Sequence, residues 1–136
     1  MTDRAVQRIT LVGLARPNSK DVKSELVWVC RCLDLDPSKD KLAFDIFLHL
    51  LDASRKGEGV KTIEIKRKSS VTQAAVVYHM NTFMRAGLIV RRGRVYYLRG
   101  GTLEKTVEEM EADVLRRMRL IKQMAERIDE TLFIQD

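Results

Sequence analysis

Between Ser69 and Arg99 the sequence reads SSVTQAAVVYHMNTFMRAGLIVRRGRVYYLR, and the side chains suited to recognition chemistry recur there at helical spacing. At about 100° per residue, Val76, His79, Met80 and Phe83 gather on one apolar arc. Ala74, Tyr78, Asn81 and Arg85 take the opposite face, with Val77 at its edge. The amides of Gln73 and Asn81 carry a donor beside an acceptor, the pattern that pairs with the major-groove edge of adenine. Arg85 suits guanine or a phosphate, and Ala74 and Val77 suit a thymine methyl. Thr72, placed to cap the helix, leaves its first amides facing any phosphate that approaches. Beyond the helix, Arg91, Arg92 and Arg94 are expected on a phosphate backbone or in a minor groove, and Lys66, Arg67 and Lys68 on flanking phosphates.

The elements that must position these groups are legible from turn signals and periodicity. A short helix from Ile63 to Lys68, a tight turn, and a helix from Thr72 to a left-handed cap at Gly87 predict two helices joined by a turn. Leu88–Val90 and Val95–Leu98 flank a basic turn and predict a hairpin. With its tip at Arg92-Gly93, Leu88, Val90, Val95 and Tyr97 would form an apolar face, and Ile89, Arg91, Arg94 and Tyr96 a largely basic one. Upstream, Asp36-Pro37 predicts a helix start, since Asp accepts from free amides and Pro fits the first turn. That helix should run to Ser54, burying Ala43, Ile46, Phe47, Leu50 and Leu51. Val22, Leu26, Val29, Cys30 and Leu33 suggest a helix buried nearly all round, with a strand as the alternative; Ile9–Leu14 reads as strand or loop.

After Gly100-Gly101 come about 30 residues without Gly or Pro, rich in strong helix formers and capped by Thr102. Val107, Val114, Ile121 and Ile128 alternate with Leu103, Met110, Arg117, Met124 and Thr131 as the two positions of a heptad seam. Such a helix spans about 45 Å, too long to lie wholly against a domain this small, so Leu103, Val107, Met110, Val114, Ile121, Met124 and Ile128 are expected to pair with a second copy. The alternative is packing back onto the N-terminal segment through Leu115, Met118 and Ala125. Both arrangements are compatible.

Charge separates three segments: residues 1–36 hold 6 basic and 5 acidic residues, 37–101 hold 13 and 5, and 102–136 hold 6 and 9. The middle one has the balance of a polyanion binder, and the last would be repelled by a polyanion. The predicted organisation is therefore an N-terminal extension (1–36), a DNA-binding domain (37–101) and a long amphipathic helix (102–136). At 136 residues the chain forms about one domain, which excludes most multidomain enzymes. Its longest uncharged apolar run, Leu26–Cys30, is far short of a membrane span, and no secretion signal opens it, so a soluble cytoplasmic protein is expected.

The run from Ser69 to Arg99 resembles the winged helix-turn-helix transcription regulators of bacteria and archaea, especially the arsenic-repressor-like group. Val76, His79-Met80, Phe83, Ala86-Gly87-Leu88 and a wing ending at Tyr97 carry that resemblance. The layout is also similar to small archaeal regulators that recruit transcription factor B or control motility genes. The resemblance implies a mainly helical fold with a small β hairpin, and a nucleoid-associated homodimer that binds specific double-stranded DNA. It would repress by blocking polymerase or activate by recruiting a general initiation factor. The alternative function is a winged-helix protein interaction module within a larger assembly, for which Arg91, Arg92 and Arg94 together have no evident use. Cys30-Arg31-Cys32 is similar to the thiolate pair of arsenic sensors, but lies some 40 residues upstream of Thr72 instead of on the preceding helix. With only His49 and His79 elsewhere, both on apolar faces, no metal site and no cofactor are expected. No phosphate loop, nucleophile elbow or metal-binding His-Glu helix is present, so no enzyme is expected.

Overall fold

The computed structural model describes residues 5–133. Mainly helical, these residues form α1 (Val22–Cys32), α2 (Lys41–Arg55), α3 (Thr62–Lys68), α4 (Gln73–Ala86), β1 (Ile89–Arg92), β2 (Val95–Leu98) and the long α5 (Leu103–Leu132). The strands pair antiparallel, with Ile89 opposite Leu98 and Arg92 opposite Val95. No helix among the described residues is long and apolar enough to cross a membrane.

Local chemistry sets the boundaries. Asp21, Asp40, Thr72 and Thr102 each accept from an amide in the first turn of α1, α2, α4 and α5 respectively, satisfying a donor that the helix cannot. α2 begins at Lys41, later than Asp36-Pro37 suggested. Asp36 does accept from Ser38 N at 3.0 Å, but it closes only an isolated turn, and Asp40 is the cap. At Gly87 the backbone takes φ 84°, a left-handed conformation that a Cβ would strain. There the amides of Gly87 and Leu88 close onto Met84 and Phe83 carbonyls at 3.1 and 3.0 Å.

One core serves all three segments distinguished by charge. Ile46, Phe47 and Leu50 of α2 pack with Val76, Met80 and Phe83 of α4, and Phe47 meets Phe83 edge-on at 6.1 Å between centroids. Cys30 and Leu35 from the N-terminal segment and Met110 from α5 join the same cluster. α1 buries only Cys30 completely, less than an all-round apolar helix would. Residues 5–20 run without regular structure across the domain, tied by Arg8 N to Arg85 O (3.0 Å), Val12 N to Cys32 O (2.8 Å) and Trp28 Nε1 to Ala15 O (2.8 Å).

The hairpin divides its side chains between two faces as predicted, but the pairing is displaced by two residues and the other face is the buried one. Its tip is Gly93-Arg94, so Ile89, Arg91, Tyr96 and Leu98 share one face and Val90, Arg92, Val95 and Tyr97 the other. The face expected to be basic is the buried one, since Ile89, Tyr96 and Leu98 enter the core. A third segment joins the hairpin: Val60 exchanges two 2.8 Å backbone hydrogen bonds with Tyr96. A Cβ on Gly59 would collide with the Val95 side chain and come within 2.7 Å of Tyr96 O.

α5 also departs from expectation. Its buried face is Thr106, Met110 and Asp113, with Leu103 packed at the margin, so Leu103 and Met110 are taken up by the protein's own core and are not free to form a seam with another chain. Val107 and Val114 line a groove with Ile9, Leu11 and Leu33, so α5 lies beside the N-terminal segment, while Leu115, Met118 and Ala125, the residues expected to make that contact, are exposed. From Leu115 to Leu132 every residue is exposed, about 27 Å of helix standing clear. On that free part the apolar stripe runs through Met118, Ile121, Ala125, Ile128 and Leu132, leaving Met124 on its flank and Arg117 and Thr131 outside it.

The buried Asp113 holds α5 in place. Its carboxylate accepts from Arg99 Nη1 and Arg116 Nη2, both at 2.5 Å, and from Gln7 Nε2 at 2.7 Å, while Arg99 also reaches Glu109 at 3.1 Å. These donors, Arg99 foremost, outweigh desolvation and hold the carboxyl far below the usual carboxylate range. Among the described residues no buried side-chain nitrogen or oxygen lacks a partner.

Two outcomes follow from this packing. Because Asp113 ionises at a lower pH in the folded state, its stabilisation is complete above the ordinary value of 3.8 and is lost as pH falls from there toward the folded value. Asp113→Asn should cost about 2 kcal/mol near pH 7 in urea titrations, with the deficit shrinking toward pH 2. A deficit that does not change with pH would contradict the ionised assignment. Gly59→Ala should cost about 1–3 kcal/mol through displacement of the hairpin, read by the same titration at neutral pH.

Candidate nucleic-acid interface

α3 and α4 meet through a short turn, and α4 turns its apolar arc to α2, which leaves its polar arc facing outward. Gln73, Ala74, Tyr78, Asn81 and Arg85 are exposed, and Val77 is half-buried at the edge. Among the described residues neither Gln73 nor Asn81 spends its side-chain amide on a hydrogen bond, so both keep a donor and an acceptor for an outside group. Thr72 Oγ1 accepts from Ala75 N at 3.1 Å, which fixes the start of α4.

His79 is less buried than the apolar arc implied. It stacks on Phe83 at 6.4 Å, meets Tyr78 edge-on at 5.3 Å, and places Nε2 3.6 Å from Asp40 Oδ2. It therefore links α4 to the capped start of α2. Among the described residues no three His, Cys, Asp or Glu side chains converge on a metal position. Cys30 is fully buried, and desolvation pushes its thiol up to about 12, the state of an unreactive structural cysteine.

The hairpin stands beside the start of α4. Between them lies an open groove of about 480 Å³, to which α4 contributes Gln73 and Val77, the hairpin Arg91, Arg94 and Tyr96, and the start of α3 Lys61. No carboxylate lines it, and three of its residues are cationic, so it is a positive concavity. The arginines are positioned differently. Arg91 Nε donates to Gly93 O at 2.7 Å and its guanidinium lies 5.7 Å from the Tyr96 ring centroid, while Arg92 lies 5.3 Å from that of Tyr97 on the other face. Arg94 sits at the tip.

Not every expected residue joins this groove. Lys68 lines a separate hollow shared with Asp52, Glu58 and Glu64, where carboxylates offset its charge. Lys66 and Arg67 are exposed in the last turn of α3. Arg85, in the last turn of α4, lines another hollow beside Gln7, Arg99 and Arg117. Lys61, Thr62 and Ile63 were missed as groove residues. The signal for them was the bridge that carries Val60 onto Tyr96, a long-range pairing of a single residue that leaves no period in the sequence. No protein-family model matches this chain, and no curated protein or solved structure matches it either.

Proposed function

We propose that this protein is a winged helix-turn-helix transcription regulator that binds specific double-stranded DNA as a homodimer. In this reading α3 and α4 are the helix-turn-helix, α4 enters the major groove, and the β1–β2 hairpin is the wing. The observation that carries it is the carboxylate-free groove in which the uncommitted amide of Gln73 faces the same space as Arg91 and Arg94. A base-reading group and phosphate-neutralising groups are thereby offered to one ligand, the combination that duplex recognition requires. Asn81, two turns along the exposed arc, extends the same reading surface. Phosphate contact by the wing gives affinity on any sequence, and the amides of α4 give preference among sequences.

Contacts sorted in this way make separable predictions. Selection of bound duplexes from a random pool near ~150 mM salt should enrich a sequence with two half-sites. Against the winner, Gln73→Ala or Asn81→Ala should reduce discrimination by about 1–3 kcal/mol while leaving binding to scrambled DNA nearly unchanged. Arg91→Ala with Arg94→Ala should weaken binding to every duplex and reduce the salt slope by about 2. Failure to enrich any sequence, or equal loss on all sequences from the α4 variants, would overturn the assignment of α4 to the groove.

A further inference from the structure

We infer that the exposed half of α5 is the docking surface for a second copy of this chain and that the two helices pair antiparallel. The inference deepens the homodimer reading above and rests on it. Val114, Met118, Ile121, Ala125, Ile128 and Leu132 follow one another at steps of four and three, the spacing of a heptad seam in which every position is apolar. Val114 sits where the helix leaves the domain, and Met118, Ile121, Ile128 and Leu132 are 49% to 69% exposed. From Met118 onward no other described part of the protomer covers this face.

Charge and side-chain size fix the orientation. Residues 115–122 carry Arg116, Arg117, Arg119 and Lys122 with no acidic residue, whereas 123–132 carry Glu126, Asp129 and Glu130 against Arg127 alone. A parallel pair would lay basic half on basic half, and its flanking positions would bring Arg117 beside Lys122 of the other copy. An antiparallel pair lays each basic half along an acidic one. In the register that uses all six seam residues, Val114 faces Leu132, Met118 faces Ile128, and Ile121 faces Ala125, each across the interface. Lys122 and Asp129 then flank the seam on the same side and lean toward each other, because their Cα–Cβ bonds tilt toward opposite N-termini. Ala125 settles the packing in the same direction. A parallel pair sets alanine against alanine and leaves a gap, while the antiparallel pair fills that space with Ile121. The two-fold axis passes near Gln123, so the two helices leave their domains about 27 Å apart along the shared axis, with one domain at each end.

Sedimentation equilibrium of the full chain should give a dimer. Lys122→Asp should weaken it about tenfold, since two ion pairs become two repulsions, and adding Asp129→Lys should restore it. A parallel dimer would respond in the opposite sense, tightening with Lys122→Asp as the new carboxylate meets Arg117. In a Cys32→Ser background, tagged Met118→Cys should oxidise to a disulfide with untagged Ile128→Cys and not with itself. Self-crosslinking of Met118→Cys, tightening by Lys122→Asp, or a monomer at about 100 µM would each overturn the inference. Duplex selection on the same preparations separates the two readings. An antiparallel dimer that enriches no sequence upholds this inference and sinks the regulator, and a monomer that reads a single site does the reverse.

Discussion

One ionised carboxylate inside the protein, that of Asp113, governs how its parts are set against each other. An unpaired charge at this depth would cost several kcal/mol, and the fold meets that cost with three directional donors from three parts of the chain. Arg99 comes from the end of the hairpin, Arg116 from the next turn of α5, and Gln7 from the N-terminal segment. The same Arg99 also donates to the carbonyl of Gly87, the left-handed residue that ends α4, at 3.3 Å. Apolar contact alone would hold α5 near the core without fixing its rotation about its own axis. Hydrogen bonds to a carboxylate fix both.

Positions elsewhere follow from that junction. The end of α4, the root of the hairpin and the base of α5 converge on one side chain, so the groove between α4 and the hairpin is tied at its far end to the helix that leaves the domain. At its near end the groove is held by the Val60–Tyr96 bridge and by the absence of a side chain at Gly59. The proposed recognition surface would require this sort of support, since groups that must meet a rigid partner act only if their own backbone cannot drift.

The elements themselves were mostly visible in the sequence, because caps and periodicity are local. Thr72, Gly87 and Thr102 bound their helices where short-range chemistry places them, and the arc of Val76, Met80 and Phe83 is buried as its spacing implies. The departures from these patterns are non-local in origin. Two of the three buried residues of α5 are polar, Thr106 Oγ1 accepting from Gly100 N at 2.9 Å and the Asp113 carboxylate accepting from arginines, so apolar repeats alone place the seam on Leu103 and Met110. The hairpin tip lies one residue later than its turn signal implies, which displaces the pairing by two and leaves the faces divided as alternation requires. Which face is buried depends on the packing of Ile89, Tyr96 and Leu98 into the core, and no local pattern carries that. The exposed arc of α4 was legible because a helix that buries one face must show the other. The partnership of Lys61 with the hairpin was not, because it depends on a bridge across more than 30 residues of chain.

The two arginines lying on tyrosine rings have one more effect. A free arginine side chain carries about 2 kcal/mol of rotamer entropy, which it gives up when it is fixed against a ligand. Arg91, held by a ring and by the Gly93 carbonyl, and Arg92, held by a ring, have surrendered part of that freedom during folding. If the hairpin is the wing of the proposed regulator, it would meet a phosphate with its charges already partly ordered, and less disorder would remain to be lost at the moment of contact.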